Sequence, residues 1–231
     1  MAEQQPAGAL PPMPRALAHV WPAAVPGLQA YAQMLASDAV TRGLIGPREV
    51  PRIWDRHIAN CALAEAVIPH GANVADVGSG AGLPGLVLAL VRPDLSVSLI
   101  EPLLRRATFL TEAVQQLGLE SRVQVIRARA EDARSAVAST PGGQADWLPA
   151  DVVTARAVAA LPQLLQWCWP LVKPGGGLAL LKGESAQAEL VKAESALRAC
   201  GIQPQWARVE TVEQADSHVT LVVIDRPDRQ G

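Results

Sequence analysis

"VADVGSGAGLPG", Val74 through Gly85, sets four glycines and one carboxylate directly behind a short apolar run. An apolar run, a glycine turn and then a helix-forming stretch ("LVLAL", 86–90) is the signature of the first strand–turn–helix unit of a parallel α/β sheet. The loop fits two templates. Gly80, Gly82 and Gly85 spell G-x-G-x-x-G, the dinucleotide fingerprint, and Glu101 falls at about the expected distance beyond it. Shifted by two residues, Asp76, Gly78, Gly80 and Gly82 spell D-x-G-x-G-x-G, the pattern of the first loop of S-adenosylmethionine-dependent methyltransferases. A pyrophosphate needs free backbone N–H groups at a helix N-terminus. A sulfonium donor has no phosphate, tolerates a nearby acid and needs close backbone approach, which glycine allows. Asp76 therefore favours the cationic ligand, while Glu101 can accept from ribose hydroxyls in either case.

Outward from the loop, further short apolar runs follow at "SVSLI" (96–100), "VQVI" (123–126), "DVVTA" (151–155) and "GLALLK" (177–182). Amphipathic stretches near 84–91, 103–117, 161–170 and 185–200 separate them, so the pattern predicts a parallel sheet with right-handed crossovers. The ending differs. "PQWARVETV" and "SHVTLVVID" are joined only by "EQAD", too short for a crossover, which predicts an antiparallel pair. That hairpin favours a methyltransferase sheet over a dinucleotide fold; a glycine turn with no ligand is the remaining reading. Upstream, residues 15–70 read as a helical extension broken at Pro22, Pro26 and "GLIGP", residues 1–14 as a disordered tail, and 71–226 as the α/β domain.

Composition narrows the class. Of 231 residues 49% are hydrophobic, enough for a substantial core, and the net charge of −2 gives no global basic field for nucleic acid. The N-terminal sequence lacks a basic segment leading into an apolar one, and no apolar run is long enough to cross a bilayer, so a cytoplasmic protein is expected. Cys61, Cys168 and Cys200 are odd in number and lie among apolar residues, as reduced core thiols do. No metal site is expected.

In order and spacing, "DVGSGAGLPGLVLAL", "RRATFL", "TARAVAALPQLLQWC" and "LALLKG" resemble the motifs of the RsmG (GidB) family, and "GLIGPREVPRIWDRHIANC" extends the likeness into the N-terminal helices. It covers roughly residues 28–225. One departure is "TRGLIGPREV", where the family often carries an Asn-Leu-Thr stretch. The resemblance implies a class I methyltransferase fold: a Rossmann-like seven-stranded sheet with a C-terminal antiparallel hairpin, plus the helical extension. It implies methyl transfer from S-adenosylmethionine to N7 of guanine 527 in the 530 loop of 16S rRNA, with the small ribosomal subunit or its assembly intermediate as partner.

The candidate cofactor residues are Asp76, Gly78, Ser79, Gly80, Gly82, Leu83 and Glu101, with Ala130, Glu131 and Arg156 added by the resemblance. Guanine N7 carries a lone pair and no proton, so no general base is expected; Arg156 and Lys182 are expected to position the reactants. Arg48, Arg52, Arg56, His57, Arg105, Arg106 and Lys182 are candidates for RNA contact, and Arg52 and Arg56, four apart, share a helix face. Trp54 is a candidate for stacking on a base. A methyltransferase for a small molecule or another RNA, expected if the extension closes over a small apolar pocket, and a protein that binds the donor without turnover are the competing readings.

Overall fold

The runs expected to be strands are strands, because alternate side chains on each enter two different apolar layers. They are β1 (Asn73–Val77), β2 (Ser96–Ile100), β3 (Val123–Ile126), β4 (Ala150–Arg156), β5 (Val172–Lys182), β6 (Ala207–Gln214) and β7 (Ser217–Asp225). The computed structural model describes residues 9–139, 142–214 and 216–228. The strands form one sheet in the order β3-β2-β1-β4-β5-β7-β6. Neighbours from β3 to β5 are parallel, and β7 is antiparallel to both β5 and β6. Val152, Ala179 and Leu181 pack into one layer while Val153, Leu178 and Leu180 pack into the other, so the period of two covers both faces. All three cysteines are free thiols.

The extension is helical but uneven in pitch. It contains α1 (Arg15–Val20), α2 (Val25–Met34) and the three-residue α3 (Asn60–Ala62), linked by π-helical turns at Leu35–Ala39 and Ile53–Ala59 and by 3-10 turns at Pro47–Arg52 and Leu63–Val67. Pro51 removes a backbone donor inside the Pro47–Arg52 turn, which prevents a regular helix from running through it. The change from 3-10 to π pitch between Arg52 and Arg56 removes the α-helical geometry that would set them on one face. Of the tail expected to be disordered, residues 1–8 lie outside the described residues. Residues 9–14 are packed down: Leu10 and Met13 lie against the core, and the Pro11 carbonyl accepts a bond of 2.7 Å from Trp54 Nε1.

Crossovers are made by α4 (Gly85–Val91), α5 (Leu104–Gln116), α6 (Ala133–Ala138), α7 (Leu161–Cys168), α8 (Ala186–Lys192) and α9 (Glu194–Ala199). The single helix expected over 185–200 is divided at Ala193, and α6 had no counterpart among the expected helices. Its sequence, "ARSAVA", buries only Ala133 and Val137, too few apolar positions to display a period. β5 begins five residues earlier than its apolar run, since Lys173-Pro174-Gly175-Gly176 continues the strand through a register shift opposite Ala150–Val152.

The extension packs on the sheet face that also carries α4 and α5. One continuous apolar layer contains Leu28, Tyr31, Ile53 and Ile58 from the extension together with Leu86, Leu99, Phe109 and Leu221. Polar ties reinforce it: Asn60 Nδ2 donates to the His218 carbonyl at 2.8 Å, and Arg92 donates to the carbonyls of Ile68 and Pro69 and to Asp94.

Candidate active site

Between β1 and β4 the strand order reverses, and loops leaving the two strands part in opposite directions; this is where open α/β sheets form their binding crevice. A cavity of about 1090 Å³ lies there, at the C-terminal ends of β1, β2, β4 and β5. Gly78, Ser79, Gly80, Ala81 and Leu83 line it from the first loop and Glu101 to Leu103 from the second. Arg156 to Val158 line it after β4, Lys182 and Gly183 after β5, and the extension closes one side with Ile45, Glu49, Arg56, His57 and Asn60.

The glycine loop turns tightly, with φ of 71° at Gly78, 58° at Gly80 and 97° at Gly82, a region costly for other residues. Most of its amides are already used. Gly78 and Ser79 donate to the Ile100 carbonyl, Gly82 and Leu83 to the Ser79 carbonyl, Gly80 to Glu101 Oε2 at 3.0 Å, and Gly85 to Asp76 Oδ2 at 3.0 Å. A pyrophosphate therefore finds few free N–H groups, and the buried acids Asp76 and Glu101 stand at these strand ends. A cation is favoured instead. Glu101 also accepts from Leu103 N at 3.0 Å, so its carboxylate is fixed while keeping lone pairs for further donors.

Asp76 does not line the cavity. It is fully buried under the loop, Oδ2 holds the first amide of α4, and Oδ1 has no partner among the described residues. Burial pushes its carboxyl up to about 7, against bonds from Gly85 and Ser79 that favour the charge. It therefore supports the loop from beneath rather than by contact with a ligand. Gly82, Ala130 and Glu131 are also outside the lining: Gly82 faces Leu86 and Tyr31, Ala130 is buried in the opposite core layer, and Glu131 is exposed on the turn after β3.

His57 is not on an open basic face. Its ring is buried, with Nε2 3.0 Å from Glu49 Oε2 and Nδ1 2.8 Å from Arg156 Nη2, and burial and the Arg156 charge push its pKa down to about 4. Lys182 is engaged too. Its ammonium donates to Glu189 Oε2 at 2.9 Å and to the Ala159 carbonyl at 3.4 Å, which leaves it a wall of the cavity rather than a free phosphate contact. Trp54 is 3% exposed and bonded to Pro11, so it cannot stack on a base without unpacking the core. Arg56 stands 3.7 Å from Glu49, and Arg106 3.8 Å from Glu101. Arg48, Arg52 and Arg105 are exposed, and none has a carboxylate partner among the described residues.

Spacing alone did not reveal Glu49, Glu189 or Tyr31. Tyr31, wholly buried in α2, donates its hydroxyl to the Ala81 carbonyl at 2.7 Å and so ties the extension to the glycine loop. A buried tyrosine needs such a partner, which is the one signal its type carries. Ala157 adopts φ of 54° directly after Arg156, a conformation that non-glycine residues favour little outside functional sites.

Residues 25–220 match the family GidB, described as rRNA small subunit methyltransferase G. The ribosomal RNA small subunit methyltransferase G of Salinispora tropica is 60% identical over 163 residues, 71% of this chain and 65% of that protein. That of Mycolicibacterium gilvum is 50% identical over 214 residues, 93% of this chain and 90% of that protein. The Bacillus subtilis tRNA methyltransferase TrmK superposes with a TM-score of 0.50 at 16% identity, over 76% of this chain and 67% of that one, a likeness of fold alone. With its seven-stranded sheet, its antiparallel β7 and a match that runs from the extension to the hairpin, the chain belongs to the rRNA small subunit methyltransferase G family.

Proposed function

We propose that the protein transfers a methyl group from S-adenosylmethionine to N7 of guanine 527 in the 530 loop of 16S rRNA, within the small ribosomal subunit or its assembly intermediate. The observation that carries this reading is the glycine loop, most of whose amides are already bonded within the protein, beside the buried acids Asp76 and Glu101 at the strand ends. Such a loop suits a sulfonium donor and not a pyrophosphate. Gly78, Ser79, Gly80, Leu83 and Glu101 would hold the donor, Glu101 accepting from its ribose hydroxyls. When bound, the donor supplies an electrophilic methyl group.

No proton leaves guanine N7, so the side chains have positioning to do rather than acid–base work. The cavity walls must bring N7 in line behind the methyl carbon and exclude water. Positive charge moves onto the purine as the methyl transfers, and fixed oxygen groups around the site stabilise it without reorganising. Entry of the Hoogsteen edge requires an unstacked or looped base. Arg48, Arg52 and Arg105, exposed and unpaired with carboxylates among the described residues, are the residues we assign to RNA phosphates. The same reading assigns the protein to the cytoplasm; among the described residues, no helix is long and apolar enough to cross a membrane.

The test is reconstitution. Small subunits from cells lacking the protein are incubated with purified protein and S-adenosylmethionine, and methylated guanines are mapped by mass spectrometry. A single new N7-methylguanine in the 530 loop is expected; transfer to another position, or to none, would overturn the assignment.

A further inference from the structure

Arg156 closes β4 and lines the cavity, yet what holds its guanidinium comes from the extension, about a hundred residues earlier in the chain. Nη1 donates to the Arg56 carbonyl at 3.2 Å, and Nη2 approaches His57 Nδ1 at 2.8 Å. Arginine only donates, so Nδ1 must be the acceptor, and a neutral imidazole then carries its proton on Nε2. Nε2 faces Glu49 Oε2 at 3.0 Å, which completes a chain of three side chains.

We propose that His57 is a positioning residue: with its proton on Nε2, it links the carboxylate of Glu49 to the guanidinium of Arg156 and fixes Arg156 as the anion-holding wall of the cavity. The inference rests on reading this cavity as the methyl-transfer site. Glu49, Arg56 and Arg156 are the charged groups acting on the ring, and burial with the two arginines outweighs Glu49, which keeps the imidazole uncharged. A charged ring would have to turn an N–H toward Arg156, so neutrality is a condition of the relay. A role as a base is excluded by the same geometry, since the Nδ1 lone pair already accepts from Arg156. At the ring, both nitrogens are already engaged by Glu49 and Arg156, which leaves neither free for a phosphate.

Two of the five N–H groups of Arg156 are committed to His57 and the Arg56 carbonyl, and others remain for an anionic oxygen. That oxygen belongs to the donor's carboxylate or to an RNA phosphate, and the chemistry of recognition is the same. Both anchors of Arg156 lie on the π-helical turn Ile53–Ala59. The extension would thus act on the reaction by setting one side chain of the sheet domain, in addition to any contact it makes with RNA.

His57→Leu, His57→Gln and Glu49→Ala test the relay, each first checked for folding by thermal unfolding. In His57→Leu a drop in kcat/KM of about 10- to 100-fold is expected, the loss typical of a charge-assisted hydrogen bond. His57→Gln, with an amide oxygen to accept and an N–H to donate, is expected to recover most of it. A matching rise in the calorimetric Kd for S-adenosylmethionine would assign the bound oxygen to the donor; a rise confined to KM for small subunits would assign it to RNA. Nitrogen-15 spectra of the wild-type His57 ring should show a proton on Nε2 and none on Nδ1 at neutral pH.

The relay is overturned if Nδ1 carries the proton, if His57→Leu folds with wild-type kcat/KM and Kd, or if His57→Gln does no better than His57→Leu. If His57→Leu fails to fold, Glu49→Ala, which alters a partly exposed side chain, carries the same expectation in the same direction. Absence of any transfer by the wild-type protein would fail the functional reading alone, because the ring spectrum and the donor Kd decide the relay without turnover.

Discussion

Gly78 shows how a single position joins fold to chemistry. A Cβ built there would lie 2.8 Å from Val158 Cγ2, and the φ of 71° is one that L side chains rarely adopt. Gly78→Ala is therefore expected to weaken S-adenosylmethionine binding at least about tenfold, the loss that matches a left-handed penalty of roughly 1–2 kcal/mol; unchanged calorimetric affinity would remove the loop from the binding site. Asp76 makes a different prediction. Its carboxyl, raised from 3.8 to about 7 chiefly by burial, keeps its proton in the folded chain up to about pH 7, where the unfolded chain is already ionised. Between those two values the folded state binds more protons, so stability falls as pH rises, and below the lower value the penalty disappears. Asp76→Asn removes that slope. Its thermal midpoint should gain on the wild type progressively from pH 4 to pH 7, and parallel midpoints across that range would contradict the buried, partly unpaired carboxylate.

At the scale of elements, the extension is the part least readable in advance. Its helical character is visible in the spacing of Leu28, Tyr31 and Leu35, all of which are buried. The π turns at Leu35–Ala39 and Ile53–Ala59 are not visible, because a local register change in backbone bonding leaves no distinct residue pattern. The bond from Tyr31 to Ala81 makes α2 a support for the glycine loop. Tyr31→Phe leaves the ring's packing in place and removes only the hydroxyl, for a stability cost of about 1 kcal/mol. Donor affinity should fall more than this midpoint shift suggests, since the removed bond holds the loop itself; an unaltered donor Kd would show that α2 does not support the site.

Across the whole molecule, the apolar layer shared by the extension and the sheet makes two structural parts one energetic unit. Calorimetric unfolding should show a single transition with matching calorimetric and van't Hoff enthalpies, and two resolved transitions would separate the extension from the sheet. Charge works at the same scale. With a net charge of −2, RNA affinity must come from local arginines rather than an overall field. Replacing Arg48, Arg52 and Arg105 together by Gln should lower the slope of log affinity against log salt by about one unit for each RNA phosphate that is no longer neutralised. An unchanged slope would move the RNA path to another face.

The sheet, the glycine loop and the closing hairpin were readable before folding, because each depends on spacing within a short span: a period of two, a glycine every second residue, a connection too short to cross over. The family followed from the resemblance of motifs spread over residues 28–225. Glu101 was legible for the same reason, standing at the end of the next strand. Which polar groups are free follows from the folded arrangement. His57 and Trp54 are buried, Lys182 is held by Glu189, and Asp76 is turned away from the cavity. Most of these outcomes depend on partners brought close only by folding, as His57 meets Arg156 across 99 positions. Residue type states what a side chain can bond, but its burial and partner are set by the whole fold, and on these depends whether a charge reaches solvent, a ligand or another side chain.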